Sequence, residues 1–384
     1  MTNLLSTLAA SLAYSSLLFV SGSRLDPVRH DAATTHTYYI AADEVLWDYA
    51  PSGTDQVSGQ PFNAVEETWT KRGAHRIGTV YKKALYREYT DSSFRTLKPR
   101  DAAWEHLGSL GPLLRAQVGD TIRVVFRNNG HHPYSMHPHG VMYGKDSEGA
   151  VYSDSTAGAL ARGDAVPPGG THTYVWPVPE RAGPAEGDAS SILWMYHSHV
   201  NEGRDVNSGL VGPIIVTRRG MARADGSPTD VDREFVIAFA ETNENLSWYI
   251  DDNIKAFVGE PTSVRPVTGF PFVDPFGLSN VKQSMNGFLY GNGPMPTMRT
   301  GERVRWYIMA TTNAEAHAPH WHGNVVVSQH MRTDVLTLLT MGMQVADMVP
   351  DNPGIWLFHC HVEPHLRAGM QMRFRVTDAA VVAR

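Results

Sequence analysis

No disulfide can form within this chain, because its 384 residues contain a single cysteine, Cys360. Stability must come from packing and from whatever the thiol binds. A lone cysteine is most often a small buried hydrophobe, so Cys360 has to be read against its neighbours. Charge of one sign is also lacking. The formal net charge is −6 with both signs scattered along the chain, and no basic block offers itself to nucleic acid. The apolar run from Leu4 to Val20 is too short for a comfortable membrane span, and no spanning segment follows it. Small residues, Ser21-Gly22-Ser23, come next, so residues 1–23 read as a signal peptide cleaved near Ser23, although no Lys or Arg precedes the run. A secreted, periplasmic or extracellular protein is expected. Apolar residues make up 42% and charged residues 19%, which excludes a disordered chain. At roughly 150 residues per domain the length allows two or three cores.

Helical periodicity is scarce as well. Short β-rich runs dominate, among them Tyr38-Tyr39-Ile40, Thr121 to Phe126, Thr173 to Trp176 and Gly212 to Val216, split by Gly, Pro, Asn and Asp. That pattern predicts an all-β chain of sandwiches or barrels. The chain also repeats itself. Gly119-Asp120-Thr121-Ile122-Arg123-Val124-Val125 is echoed by Gly301-Glu302-Arg303-Val304-Arg305-Trp306-Tyr307, and Trp194 to His199 by Trp356 to His361. The offsets are 183 from His137 to His320 and 162 from His197 to His359. Two copies of one β domain are expected, at residues 24–220 and 221–384, joined by the polar stretch Arg218 to Arg233. Val258 to Val273, with Pro261, Pro266 and Pro271, reads as surface loop.

Histidine is what the chain has in quantity. Of 18, ten fall in four tight motifs: His137-Pro-His139-Gly140, His197-Ser198-His199, His317-Ala-Pro-His320-Trp-His322-Gly323, and His359-Cys360-His361 with His365 and Met370 behind. A lone His is more often a satisfied core residue than a ligand, but four motifs in two matched pairs are not that. In a strand, residues i and i+2 share a face and i+1 points away. His137, His139, His197 and His199 therefore present four imidazoles on one surface of the first domain, and His320, His322, His359 and His361 do so in the second. Cys360 and His317 point the other way and, with His365 and Met370, make a second site. Two imidazoles, a thiolate and a thioether form the blue-copper donor set; zinc would gain little from Met. Cys360 then joins the two sites covalently, and electrons entering at its metal reach the eight-imidazole cluster through His359 and His361.

These four motifs resemble those of the multicopper oxidases, from about Tyr38 to Val376. Phe94-Arg95, Glu148-Gly149-Ala150-Val151-Tyr152 and Asn286-Gly287-Phe288-Leu289-Tyr290-Gly291-Asn292 resemble the ceruloplasmin and hephaestin branch, and the size is similar to two-domain laccases. The resemblance implies two cupredoxin-like Greek-key β-sandwich domains and four coppers per functional unit. His137 and His320 match the type 2 ligands. His139, His197, His199, His322, His359 and His361 match those of the type 3 pair. His317, Cys360, His365 and Met370 match the type 1 set. The first domain departs, with Ser198 where Cys360 stands, Gly203 for His365 and Tyr134 for His317, so only the second domain is expected to hold type 1 copper. In such relatives the trinuclear cluster lies between chains of a homotrimer.

Reduction of O2 consumes protons, and Glu148 is the expected catalytic carboxylate beside Cys360, His359 and His361, with Asp154 in reserve. Trp321, Trp356 and the methionines Met285, Met295, Met298, Met341, Met343 and Met348 are expected to be packing residues, and His131-His132 an exposed turn. The expected activity is oxidation of a phenol or aromatic amine, laccase-like, coupled to reduction of O2 to water. The alternative is Fe(II) or Cu(I) oxidation of the ceruloplasmin type, which would need carboxylates beside the type 1 site; Glu315 and Glu363 are candidates by sequence. A copper nitrite reductase is more distant, since its cysteine belongs to the first domain and its cluster has fewer histidines. A non-enzymatic relative would have lost ligands, and none is missing here.

Overall fold

The computed structural model describes residues 33–259, 274–311 and 316–378. The expected signal peptide, Glu315 and all but the start of the proline-bearing stretch after Val258 lie outside the described residues. The fold is all-β. The first half carries β1 (Thr35–Asp48), β2 (Val80–Tyr89), β3 (Leu114–Gln117), β4 (Thr121–Asn128), β5 (His137–Pro138), β6 (Thr171–Pro177), β7 (Ser191–His197) and β8 (Val211–Thr217). The second carries β9 (Arg233–Asn243), β10 (Val281–Met285), β11 (Thr297–Arg299), β12 (Val304–Thr311), β13 (Pro319–Trp321), β14 (Val326–Ser328), β15 (Met331–Thr333), β16 (Met343–Met348), β17 (Gly354–Cys360) and β18 (Gln371–Thr377). Helices among the described residues are short; Ile250–Phe257 has 8 residues.

The sequence repeat is a repeat of topology. The first half pairs a β2-β1-β4-β6 sheet with a β3-β8-β7-β5 sheet; the second pairs β10-β9-β12-β16-β14-β15 with β11-β18-β17-β13. Strands β1 and β4 run parallel, as do β9 and β12, β3 and β8, and β11 and β18. These non-consecutive neighbours give each half the Greek-key crossover of a cupredoxin-like sandwich.

Alternation builds the cores. In β4, Ile122, Val124 and Phe126 face inward and their neighbours outward, the period of two that a one-sided sheet requires. Strands β8 and β12 break this rule and are buried at every position. Both of their faces are covered, one by their own sandwich and one by the opposite half. Val211 and Ile215 from the first half meet Val236, Tyr307 and Met309 from the second in one apolar cluster. At about 1.5–3 kcal/mol for each large apolar side chain fully buried, that seam locks the halves together, and the described residues form one compact unit. Polar ties cross it too. Arg305 donates to Ser190 and Ser191 at 2.7 and 2.8 Å. Asn286, at φ 51°, satisfies the Ala238 N–H and the carbonyls of His106 and Val236.

Candidate metal centres

The thiol of Cys360 is fully buried at the end of β17. Its Sγ lies 3.8 Å from His317 Nδ1 and 3.6 Å from His365 Nδ1. Met370 is equally buried in the same core cluster, and its carbonyl accepts the Cys360 N–H. The Ala318 N–H points at the sulfur at 3.4 Å. Burial pushes the thiol pKa up and holds His317 down at about 4. Two imidazoles and a soft sulfur in a buried pocket fit a soft, redox-active metal, and a bound cation would reverse the cost of forming the thiolate.

The eight remaining histidines form two sets of four. In the first, the ring of His137 lies 5.2–5.7 Å from those of His139, His197 and His199. In the second, the ring of His320 lies 4.8–5.2 Å from those of His322, His359 and His361. Within each set one pair is closer: His139 Nε2 is 3.1 Å from His197 Nε2, and His322 Nε2 is 3.1 Å from His359 Nε2. Backbone carbonyls fix the tautomers. The Nδ1–H of His197 donates to Ser198 O and that of His359 to Cys360 O. The Nδ1–H of His137 donates to Glu148 O and that of His320 to Asp334 O. The Nε2 lone pairs are left free, which is how a protein presents imidazole to a metal. Two ligands on one tetrahedral ion at ~2.0–2.1 Å lie roughly 3.3 Å apart, so each close pair is set for a single ion. Burial holds His139 and His359 at about 4 and His197 at about 3, neutral and ready to ligate.

Matched aromatic walls hold the motifs. Gly140 (φ 75°) and Gly323 (φ 64°) follow the His pairs, and a Cβ there would come within 2.2 Å of Trp194 and 2.6 Å of Trp356. Each indole is anchored, Trp194 to Ala182 O and Trp356 to Asn352 O. Only glycine lets the chain turn under the ring.

Comparison with known proteins decides the family. Residues 93–220 and 272–380, together more than half of the chain, match the multicopper oxidase family. The chain belongs to the multicopper oxidase family. It is 44% identical to the ferroxidase HEPHL1 of Mus musculus over 90% of this chain and 29% of that one. It is 40% identical to ceruloplasmin of Mus musculus, over 89% of this chain and 32% of that one. The chain thus spans about three tenths of the length of the curated relatives it matches. A solved multicopper oxidase, mgLAC, superposes with a TM-score of 0.57 at 18% identity, covering 91% of this chain and 90% of that one.

Copper is the metal of this multicopper oxidase, and the donor sets fit it. Cys360 Sγ turns toward His317 and His365 and His359 Nε2 toward His322, although Cys360 and His359 are adjacent in sequence. The first half has filled the place of a thiolate site with polar groups. Ser198 Oγ donates to Asp205 Oδ2 at 2.7 Å, Asp205 also takes the Trp248 indole N–H at 2.8 Å, and Tyr134 OH meets Tyr249 OH at 2.8 Å. Trp248 and Tyr249 come from the second half of the chain. His132 stacks on Trp248 at 4.4 Å, which corrects the expectation of an exposed His131-His132 turn; only His131 is exposed.

Glu148 reaches His137 through its backbone carbonyl. Its carboxylate accepts from Lys145 and from Tyr152 at 2.8 Å, and Lys145 also meets Asp154 at 2.8 Å. Burial alone would raise the Glu148 pKa; these donors overcome it and hold the carboxyl down. Sequence reasoning missed Glu241 of β9. Its Oε2 lies 3.8 Å from His365 Nε2 and accepts from Gln283 at 2.5 Å. No local signal marks it, because 124 positions separate it from His365. Glu363 is exposed on the short helix Glu363–Arg367. Met285, Met298 and Met348 are core residues, and Met341 and Met343 pack on the seam.

Proposed function

We propose that this protein oxidises a low-valent metal ion, Fe(II) or Cu(I), one electron at a time and reduces O2 to water. In this reading His317, Cys360, His365 and Met370 hold the type 1 copper. His137 and His320 hold the type 2 copper, and the other six histidines hold the type 3 pair. Copper bound there would supply one-electron exchange at the thiolate and multi-electron delivery to O2 at the imidazoles. The observation that carries the reading is the pair of 3.1 Å Nε2 contacts with the Cys360 backbone continuous into one of them.

The chain's residues divide the work. Cys360 is bonded through its backbone to His359 and His361, so the two sites cannot drift apart. The carbonyls of Glu148 and Asp334 orient His137 and His320. The carboxylate of Glu148, bonded to Lys145 and Tyr152, is the group proposed to relay the protons that reduction of O2 consumes; what supports this is the bond of its backbone carbonyl to His137. Metal-ion oxidation is favoured over phenol oxidation by the ferroxidase relative and by Glu241, a carboxylate at the edge of the thiolate site. The phenol or aromatic amine reading keeps the same copper machinery and differs only in what docks there.

Each imidazole set is open on one side. His361 is exposed, and His137, His139, His320 and His322 are half-exposed. Among the described residues, ring contacts run within each set and none crosses between them. This supports a cluster built by the first half of one chain and the second half of another, in a head-to-tail ring; a homotrimer is what the family resemblance implies. The apolar run from Leu4 to Val20 supports export.

The test is oxygen uptake by copper-loaded protein with Fe(II), Cu(I), a phenol and nitrite in parallel. Uptake with Fe(II) or Cu(I), four electrons per O2, is expected. No uptake with any donor sinks the reading, and uptake with phenol alone moves it to the laccase class. Mixing His139→Ala and His322→Ala chains should restore part of the activity through cluster sites free of both substitutions, if the cluster is interchain.

A further inference from the structure

A cleft of about 1050 Å³ opens beside the seam, where Leu107 and Leu110 of the seam cluster line it, and none of the metal donors does. Three rings, Trp47, Trp104 and Phe288, stand half-buried in its wall. Trp47 is fixed by its Nε1–H, which donates to Gly287 O at 2.7 Å, and its ring lies 5.1 Å from that of Phe288. Leu46 joins them with 68% of its surface exposed. Phe288 belongs to the second half and the other rings to the first. Aromatic and apolar walls around a few placed polar groups are the pattern of small-molecule sites, which reach roughly 1000 Å³.

Arg87, Lys98, Arg100 and Arg115 also line the cleft, and all but Arg100 have acids. Lys98 meets Glu88 at 2.8 Å, Arg115 meets Glu234 at 2.8 Å, and Arg87 meets Asp43 at 3.7 Å. Among the described residues the Arg100 guanidinium donates to two carbonyls, Gly108 O at 2.9 Å and Leu110 O at 2.7 Å, and forms no ion pair. Protein crowds it enough to lower its pKa by desolvation, yet it stays exposed to solvent. Glu105, exposed on the same wall, acts on it only through space. A guanidinium carries five N–H donors, so some remain beyond the two that are used. Gly108, whose carbonyl holds Arg100, lies against Phe288: a Cβ there would fall 2.5 Å from the ring. The unmatched cation therefore stands at the same end of the cleft as Phe288.

We propose that this cleft binds a planar aromatic carboxylate of one or two fused rings, with its carboxylate on Arg100 and its rings among Trp47, Trp104 and Phe288. A carboxylate accepts a parallel pair of guanidinium N–H groups and supplies the counter-charge that the wall withholds from Arg100. Flat rings fit between indole and phenyl rings in offset or edge contact. The occupant touches both halves of the chain across the seam. It is held there and not oxidised, since no metal donor lines the cleft. The site is thus independent of the oxidase reading above.

The test is calorimetric titration of the full copper-loaded chain with 2-naphthoate, and with 2-naphthamide as its uncharged twin. Saturable binding of naphthoate, one per chain, is expected, with the amide weaker by about tenfold or more. Arg100→Gln should weaken naphthoate by about tenfold or more and bring it level with the amide. Leu46→Glu puts a negative charge on an exposed part of the wall and should weaken naphthoate by about fivefold or more, and the amide less. It keeps the test valid should Arg100→Gln fail to fold. Saturating naphthoate should leave the blue band and the oxygen uptake with Fe(II) unchanged. No saturable binding up to about 5 mM, equal affinity for the two probes, or naphthoate binding that neither substitution weakens overturns the proposal. So does a blue band shifted by naphthoate, which would put the probe at the thiolate site. Absence of oxygen uptake in the parent overturns the oxidase reading alone.

Discussion

His322 Nε2 and His359 Nε2 face each other at 3.1 Å across the second half, as His139 and His197 do across the first. With Nδ1 of His359 and of His197 donating to a carbonyl, each close approach turns one fixed Nε2 lone pair and a second ring nitrogen toward one place. His322→Ala should lower copper content by a quarter or more, leave the blue band of the thiolate site, and cut oxygen uptake by at least ~10³-fold. Copper analysis beside the visible spectrum checks this; full copper content in the variant would contradict the pairing.

Cys360→Ser should bleach the blue colour and abolish turnover while the cluster copper stays, because a hydroxyl cannot replace a soft thiolate. Spin resonance of the copper-loaded variant reads both outcomes. Blue colour kept in the Cys360→Ser variant would mean that another sulfur holds the metal.

Glu241→Gln separates the two substrate classes. If the carboxylate receives a metal ion, kcat/KM for Fe(II) should fall about tenfold or more, ~1.4 kcal/mol of transition-state binding, with kcat/KM for a phenol kept within about twofold. Equal losses on both donors would make Glu241 a support for His365 and weaken the metal-ion reading.

Gly323→Ala places a methyl 2.6 Å from the Trp356 ring at φ 64°. Overpacking plus a left-handed backbone should cost about 2–3 kcal/mol, seen as a lower thermal midpoint. Gly140→Ala, at 2.2 Å from Trp194, should cost at least as much. A midpoint unchanged in both variants would show that the indoles move aside.

Glu44 gives the acid limit. It accepts from Lys82 and His131 in the first half and from Tyr249 in the second. Burial alone would raise its pKa, but these donors reverse the sign and hold the carboxyl at about 2. A folded value below the unfolded one contributes stability that is present above the ordinary carboxylate range and lost as pH falls toward 2. Allowing for solvent screening, about 1–2 kcal/mol should disappear over that window. Denaturant midpoints from pH 5 to pH 2 should fall less steeply in Glu44→Gln; equal slopes would remove Glu44 from the acid response.

The sequence by itself determined which imidazoles and which thiol share a face and which point apart. Side chains in a strand alternate with a period of two, so His359-Cys360-His361 had to send its thiol one way and its imidazoles the other, and the Ser198 counterpart had to lack a thiolate. It also determined the doubled Greek key, because matched turns and runs recur at fixed offsets. Only tertiary structure decided the rest. It closed the Nε2 pairs to 3.1 Å, because that distance depends on how β5 crosses β7 and β13 crosses β17. It brought Glu241 to His365 from a strand far away in the chain, and Trp248 onto His132 across the seam. Among the described residues it left the indole N–H groups of Trp306 and Trp321 without an acceptor, a fact that no local pattern records. Period two is a property of the backbone and can be read residue by residue; which surfaces meet is a property of the whole packed chain.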